Sequence, residues 1–402
     1  RHLALAVGQP PRLPRLTPAT SAKARKFTTG YGVPWGLVKF PALSWTEPSV
    51  MHRPPVWAGD FRQGWSMNSP HDLAIDDLIT TAELNRLGLD LHAVRALCLE
   101  GSLRRQIRGW YAVRSPLADR PPWEGEDRFK TDALRHSLRA RALIRSLEGR
   151  AAASHQTAVV LFAGRLWLSD LSTIHLERTG DTHSRHRRDA VIHPCTAHEY
   201  RSVTEGFALP DGYLVVPPAI AAVQVGLRPA RPGGAPEPIE ALIAAEGFLN
   251  EDIISHEELA AAVELFRGVP GIAAVRRLLA DAGSGSESAG ETRTALALRQ
   301  LGYSFTQQVE IVDGAQTYRV DALLDDGPVV VEFDGRSKYL KGISSPTEAD
   351  INRAMAKEKD RHDRLVRMGY GVARLTWDVV GNLGTVRQEV EAARQRARRI
   401  AS

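Results

Sequence analysis

Four acidic residues in the C-terminal third have the types and spacing of a metal-dependent phosphodiesterase site. Glu291 lies in a predicted helix, Asp321 in a predicted strand, and Glu332 and Asp334 end the next strand, which is apolar from Val329 onward. Residues two apart on a strand share a face, so Glu332 and Asp334 are expected to point the same way. Clustered carboxylates repel one another unless cations neutralise them, and hard oxygen ligands suit Mg²⁺ or Mn²⁺. The pattern predicts a bound metal that activates water and stabilises charge on a scissile phosphate.

The elements that position these acids follow a linker at Gly283-Ser284-Gly285-Ser286. The hydrophobic pattern predicts a helix to Leu301, three strands over 305–312, 318–324 and 329–334, a long helix over 348–368 and a last strand over 371–377. Within the long helix, Lys357, Arg361 and Arg364 fall at i, i+4 and i+7 and therefore on one face.

Residues 284 to 380 resemble the Vsr-related branch of the PD-(D/E)XK endonuclease superfamily, on the residues Glu291, Asp321, Glu332-Phe333-Asp334-Gly335, Lys338-Tyr339 and Lys357. The resemblance implies a restriction-endonuclease-like α/β core in which Asp321 and Glu332 ligate metal. Glu291 would orient metal or water, and a lysine would stabilise the transition state.

The chain departs from the superfamily pattern at one position. Where the motif has lysine, two residues after Glu332, this chain has Asp334, so the lysine role passes to Lys338 or Lys357. The alternative is a degenerate nuclease fold that binds DNA or a partner without cleaving, and an enzyme that processes RNA or nicked DNA would carry the same acids.

A helix pair followed by a hairpin is predicted between residues 76 and 114. Thr80 and Glu83 form a capping box, Gly88 ends that helix, and Asp90 caps a second helix that Gly101 ends. Residues 103–113 then form a hairpin that turns at Arg108-Gly109. Helix-turn-helix pairs with such a wing bind DNA, and they also serve as protein-contact modules in which arginine forms a solvated rim. The predicted DNA-contacting residues are Arg95, Arg104, Arg105, Arg108 and Arg114.

The run from Ile79 to Val113, including Gly101-Ser102-Leu103-Arg104-Arg105, resembles the N-terminal winged helix of AbiEi-type antitoxins, from type IV toxin-antitoxin pairs. The resemblance implies repression of the protein's own operon through DNA binding, and it does not establish a cognate toxin as partner. A non-catalytic transcriptional repressor and antitoxin is therefore the main alternative to an endonuclease.

The sequence of the middle region, residues 119–282, predicts helices and short strands. A basic helix spans 128–150, strands span 166–168, 174–176 and 190–193, and Ser255 with Glu258 forms another capping box. The histidines at 175, 183, 186 and 193 match no compact zinc spacing, so Arg185 to Arg188 is interpreted as a solvated loop or a second phosphate contact. The region resembles the middle of actinobacterial proteins that join an AbiEi-like head to a nuclease-like tail, which implies a spacing or partner-contact role.

Composition supports a multidomain α/β protein of the cytoplasm without a membrane span. The 402 residues are 43% hydrophobic and 25% charged, with two cysteines, too few for a disulfide framework. Residues 1–66 hold nine Lys/Arg against two acids and recurrent proline, which predicts a disordered extension with the true start at Met51 or Met67. The expected parts are this extension, a winged helix over 67–118, the middle domain, and the endonuclease-like domain over 283–402.

Overall fold

The computed structural model describes residues 74, 77–115, 121, 123–125, 127–167, 169–179, 185–187, 189–194, 213–229, 233–314, 316–335 and 348–401. These residues form a mixed α/β structure with 12 helices and three small sheets. Among them, no helix is both long and apolar enough to cross a membrane. The extension predicted over 1–66 lies outside the described residues.

The first sheet forms around the predicted helix pair. Its elements are β1 (Leu78–Thr80), α1 (Thr81–Arg86), α2 (Leu91–Leu99), β2 (Leu103–Ile107) and β3 (Trp110–Val113). The strands are antiparallel in the order β1-β3-β2. The capping box is confirmed: the Thr80 hydroxyl accepts from the Glu83 N–H at 3.2 Å, and the Glu83 carboxylate accepts from the Thr80 N–H at 2.7 Å. Gly109 sits at φ +86° in the hairpin turn, a conformation that other residues rarely adopt.

The middle region contains a second sheet. Its elements are α3 (Arg128–Ser146), β4 (Ala151–Ala153), α4 (His155–Leu161), β5 (Ile174–Arg178), β6 (Arg185–Arg187) and β7 (Ala190–His193). The strand order is β4-β5-β7-β6, and β5 runs parallel to β7.

Two local predictions in this region are wrong. Residues 185–187 are the edge strand β6 rather than a loop, because their backbone pairs with β7 while Arg185 stays exposed. Leu166 and Trp167 are irregular rather than a strand. The Trp167 N–H donates to the carboxylate of Glu240 at 3.2 Å instead of to a neighbouring strand.

Four helices complete the largest hydrophobic core: α5 (Pro218–Gly226), α6 (Pro238–Asn250), α7 (His256–Leu265) and α8 (Ile272–Leu279). Helix α5 is buried along its whole length, which explains the apolar run that contains it. The Ser255–Glu258 capping box at the start of α7 is confirmed.

The C-terminal elements follow the predicted order of helix, three strands, helix and strand. They are α9 (Ala289–Gln300), β8 (Phe305–Asp313), β9 (Gln316–Leu324), β10 (Val329–Phe333), α10 (Glu348–Arg367) and β11 (Gly371–Leu375), followed by α11 (Trp377–Val380) and α12 (Leu383–Ala401). The sheet order is β11-β10-β9-β8, with β11 parallel to β10 and the other pairs antiparallel.

Strand β10 of this sheet is buried on both faces. Val329 and Val331 pack with residues of α9 and α12, whereas Val330 packs with Leu365 of α10. A strand covered on both sides reads as a continuous apolar run, as β10 does up to Glu332.

Polar contacts join the middle region to the C-terminal elements. The fully buried carboxylate of Glu246 in α6 accepts from the Thr292 hydroxyl of α9 at 2.7 Å. Trp167 stacks on Trp377 with ring centroids 5.4 Å apart, and the Arg293 guanidinium carbon lies 3.7 Å from the Trp167 ring.

Candidate functional site

Four of the five predicted DNA-contacting arginines are exposed. Arg95 projects from α2, and Arg104, Arg105 and Arg108 lie on the hairpin, whereas Arg114 is half-buried after β3. The exposed four carry positive charge on a surface where phosphate groups could approach.

The two neighbouring hairpin arginines have different surroundings, as expected for successive residues of a strand. Arg105 lies opposite Tyr111, which packs with α1 and α2, whereas Arg104 lies opposite Ala112, which packs with α3. Burial, followed by the charge of Arg135 in α3, lowers the pKa of Arg104. The structure therefore divides the predicted arginine cluster between two surfaces.

Helix α2 also exposes apolar side chains beside its arginine. Leu91 and Leu99 are 63% and 90% exposed and lie four residues to either side of Arg95, on the same helical face. A face with one arginine between two leucines suits a major groove, where arginine bonds guanine edges and apolar groups contact thymine methyls.

The acids Asp321 and Glu332 lie together on adjacent strands. Val330 pairs with Leu323 and Val331 with Ala322, and one further step in this register places Glu332 opposite Asp321. The Asp321 carboxylate accepts a hydrogen bond from the Phe333 N–H at 2.8 Å. Burial raises the pKa of Glu332, and the charge of Asp321 raises it further. The two carboxylates therefore form one electrostatically coupled pair.

Arg361 of α10 is the cation at this pair. Its guanidinium donates to the Glu332 carboxylate and, through Nε, to Glu358 at 3.2 Å. Arg374 of β11 reaches the same Glu358 carboxylate at 2.6 Å. The ion pairs therefore form a chain in the order Glu332, Arg361, Glu358, Arg374. The positive charge of Arg361 keeps the pKa of Glu332 from rising as far as burial alone would raise it.

Glu291 contacts Gln308, a strained residue of β8. Its carboxylate accepts from the Ser288 hydroxyl at 2.8 Å and from Gln308 Nε2 at 3.0 Å. Gln308 has φ +54° and lies opposite Asp321, between the pairs Gln307–Ala322 and Val309–Val320. Strained backbone of this kind is concentrated at functional sites.

Of the remaining predicted residues, Asp334 and Lys357 lie in the described part of the chain. Asp334 follows β10, and its N–H donates to the Leu375 carbonyl at 2.7 Å. Lys357 is exposed on α10, one helical turn before Arg361. Lys338 lies outside the described residues. The spacing predicts Arg361 on the basic face of this helix but not its bond to Glu332, because spacing does not fix how the helix is rotated against the sheet.

Asp321 and Glu332 offer carboxylate ligands on adjacent strands, the donor type that a hard divalent cation prefers. Mg²⁺ is commonly held by one or two carboxylates with water in its other positions. A positive charge between the pair would also offset the repulsion and burial that raise the pKa of Glu332. Comparison with protein-family models and with curated proteins finds no match for this chain.

Proposed function

We propose that this protein binds DNA through the surface that carries Arg95 of α2 and Arg105 of the hairpin. We further propose that it hydrolyses phosphodiester bonds at Asp321 and Glu332, with Mg²⁺ or Mn²⁺ as cofactor. The observation that carries the hydrolytic part is the coupled carboxylate pair with Arg361 donating to Glu332. Its support is chemical: two hard oxygen ligands and one fixed cation are what phosphoryl transfer uses to balance charge.

The residues take separate roles in this proposal. Asp321 and Glu332 would hold the cation, which supplies a water of lowered pKa and charge stabilisation when bound. Arg361, rather than Lys338 or Lys357, would place positive charge beside the scissile phosphate. Glu291 and Gln308 would hold the Asp321 strand in position. This order of helix, three strands, helix and strand is also the order expected from the PD-(D/E)XK resemblance.

DNA binding is supported by the arrangement of the first sheet. A strand, two helices and a hairpin whose second strand pairs with β1 is the arrangement of a winged helix, and its exposed arginines face outward. The test is fluorescence anisotropy of a labelled duplex across a range of salt concentrations. Replacing Arg95 and Arg105 together with alanine should weaken binding and lower the salt slope by about 0.9 for each phosphate that the variant no longer neutralises.

Arg267→Ala is the matched control for this measurement. Arg267 is an exposed arginine on the surface of the middle region and is paired with Glu264. Its replacement should leave both affinity and slope unchanged. If the double variant retained the wild-type affinity and slope, DNA contact by this surface would be refuted.

Hydrolysis is tested with supercoiled plasmid and Mg²⁺ or Mn²⁺ on the full chain. Wild type should nick the plasmid, and Asp321→Asn and Glu332→Gln should not. Asp325→Asn serves as control, because Asp325 is an exposed acid just beyond β9 whose carboxylate accepts from the Thr306 hydroxyl, away from the pair. Nicking that survives in both site variants would exclude this pair as the site.

A non-catalytic repressor and antitoxin is the second candidate. The observation that favours it is that Arg361 already pairs with Glu332, so the buried carboxylate has a counterion without any metal. Intact DNA binding without cleavage of plasmid, mismatched, nicked or single-stranded DNA or of RNA would establish this alternative. A cognate toxin would then be the partner to seek.

A further inference from the structure

A cluster of three histidines lies in the middle region, separate from the acidic pair. His155 begins α4, His175 lies in β5 and His193 ends β7. One ring nitrogen from each lies within 4.8 Å of the others, and the ring centroids are 4.2 to 5.6 Å apart. The sequence pattern groups His175 and His193 with His183 and His186 and matches no zinc spacing. The third member is instead His155, which the fold brings from an earlier helix.

The cluster is largely closed to solvent. His155 and His193 are 4% and 6% exposed, and His175 is half-buried. Burial, and then the neighbouring histidines, hold the pKa of His155 well below its usual range. A lowered pKa favours the neutral imidazole, which is the form that binds metals.

A second layer of contacts holds His155 in place. Its Nδ1 lies 3.0 Å from the Ser154 hydroxyl, and its backbone N–H donates to Gln224 Oε1 at 3.0 Å. Gln224 in turn donates to the buried carboxylate of Glu177 at 2.6 Å. His155 also has φ +52°, a strained conformation for a non-glycine residue. Such outer contacts orient metal ligands.

We infer that His155, His175 and His193 bind one divalent cation of the zinc class. Three neutral imidazoles suit Zn²⁺, Co²⁺, Ni²⁺ or Cu²⁺ better than Mg²⁺, and three protein ligands leave a fourth position for water or another ligand. The cation would tie the start of α4 to the two parallel strands.

The competing arrangement is a neutral hydrogen-bonded pair. His175 Nδ1 and His193 Nε2 lie 2.8 Å apart, which is a hydrogen-bond distance. A tetrahedral zinc ion with Zn–N bonds of about 2.0–2.1 Å separates its nitrogens by about 3.3 Å. Metal binding would therefore replace this hydrogen bond after the two rings separate by about half an ångström.

The test is metal titration of the full chain after removal of metal with a chelator. Co²⁺ is followed by its visible absorption, and Zn²⁺ by competition with a chromophoric chelator. The wild type should bind one equivalent of either ion tightly at this site. His175→Gln, at the least buried ligand, should weaken Zn²⁺ binding by more than about 100-fold, because removal of a ligand costs more than removal of an outer hydrogen-bond partner.

His256→Gln is the matched control. His256 is the first residue of α7 and follows Ser255, just as His155 begins α4 and follows Ser154, but His256 is exposed. The affinity of this variant for Zn²⁺ should equal that of the wild type. Circular dichroism establishes that each variant is folded.

Two results would overturn the inference. The first is less than half an equivalent of tightly bound Co²⁺ on the wild-type chain, which needs no variant and therefore decides the matter even if His175→Gln fails to fold. The second is unchanged Zn²⁺ affinity in folded His175→Gln. Zn²⁺ should raise the midpoint of thermal unfolding of the wild type by more than that of folded His175→Gln, because a ligand of the folded state alone stabilises it.

Discussion

Replacing Arg361 with glutamine would remove the cation that faces the buried carboxylate of Glu332. The two side chains are 26% and 8% exposed, so water can replace the guanidinium only in part. The pKa of Glu332 is already raised by burial, and it should rise further in the variant. A raised carboxyl pKa means that the folded chain keeps a proton which the unfolded chain releases. Stability then falls as pH rises from the unfolded pKa to the folded one, and it is constant above that.

The free energy of keeping Glu332 protonated sets an upper bound on the pH-dependent destabilisation of the Arg361→Gln variant. At worst Glu332 stays protonated in the folded variant, and holding a carboxyl of ordinary pKa about 4.3 protonated costs about 3.7 kcal/mol at pH 7 but only about 1 kcal/mol at pH 5. Breaking a buried ion pair by removing one partner typically costs about 3–5 kcal/mol. Partial exposure of Arg361 reduces that figure, so we expect a pH-dependent loss of about 2 kcal/mol between pH 5 and pH 7, below the bound of about 2.7 kcal/mol.

The assay is urea unfolding of wild type and Arg361→Gln at both pH values, followed by tryptophan fluorescence. Adding Glu332→Gln to Arg361→Gln should abolish the extra destabilisation at pH 7, because the titrating group is then absent. Arg364→Gln is the control on the same helix, since Arg364 pairs with Asp360 at the surface, and it should change stability little. An Arg361→Gln destabilisation that is equal at pH 5 and pH 7 would refute the coupling of Arg361 to Glu332.

Three further predictions concern other parts of the fold. Gly371→Ala should destabilise the chain by about 1–3 kcal/mol or more, because a Cβ there would lie 2.0 Å from the Ala393 carbonyl oxygen; an unchanged thermal midpoint would contradict this. Burial lowers the pKa of His136 to about 4. Between about pH 6.5 and pH 4 the unfolded chain therefore binds a proton that the folded chain does not, and the free energy of unfolding decreases as the pH is lowered. His136→Asn should reduce that slope by up to about 1.4 kcal/mol per pH unit in urea unfolding, and an equal slope would count against it. Arg293→Ala should cost about 1–2 kcal/mol and alter tryptophan fluorescence because the cation–π interaction is removed; unaltered stability and emission would argue against that interaction.

Local signals in the sequence were sufficient for much of the secondary structure. The capping boxes at Thr80 and Ser255 each depend on two residues three apart, so the chain itself encodes them. The strand from Val329 is apolar up to Glu332, which is the pattern of a strand buried on both faces. Such features involve few residues and no distant partner.

Contacts between distant elements could not be obtained in the same way. Arg361 is 29 residues from Glu332, and His155 comes from a different element than His175 and His193. Periodicity shows which residues share a helical face, but not which strand that face meets. At Trp167 the local sequence predicts a strand, but its backbone N–H donates to the distant residue Glu240 instead of to a neighbouring strand.

The buried bond from Thr292 to Glu246 has a consequence for synthesis of the chain. Glu246 leaves the ribosome 46 residues before Thr292, and its carboxylate has 0% exposure once the fold is complete. Until α9 emerges, α6 must keep that carboxylate in water, since an unpaired buried charge is costly. The middle region therefore cannot close its last surface alone, and completion of its core waits for translation of the C-terminal helix.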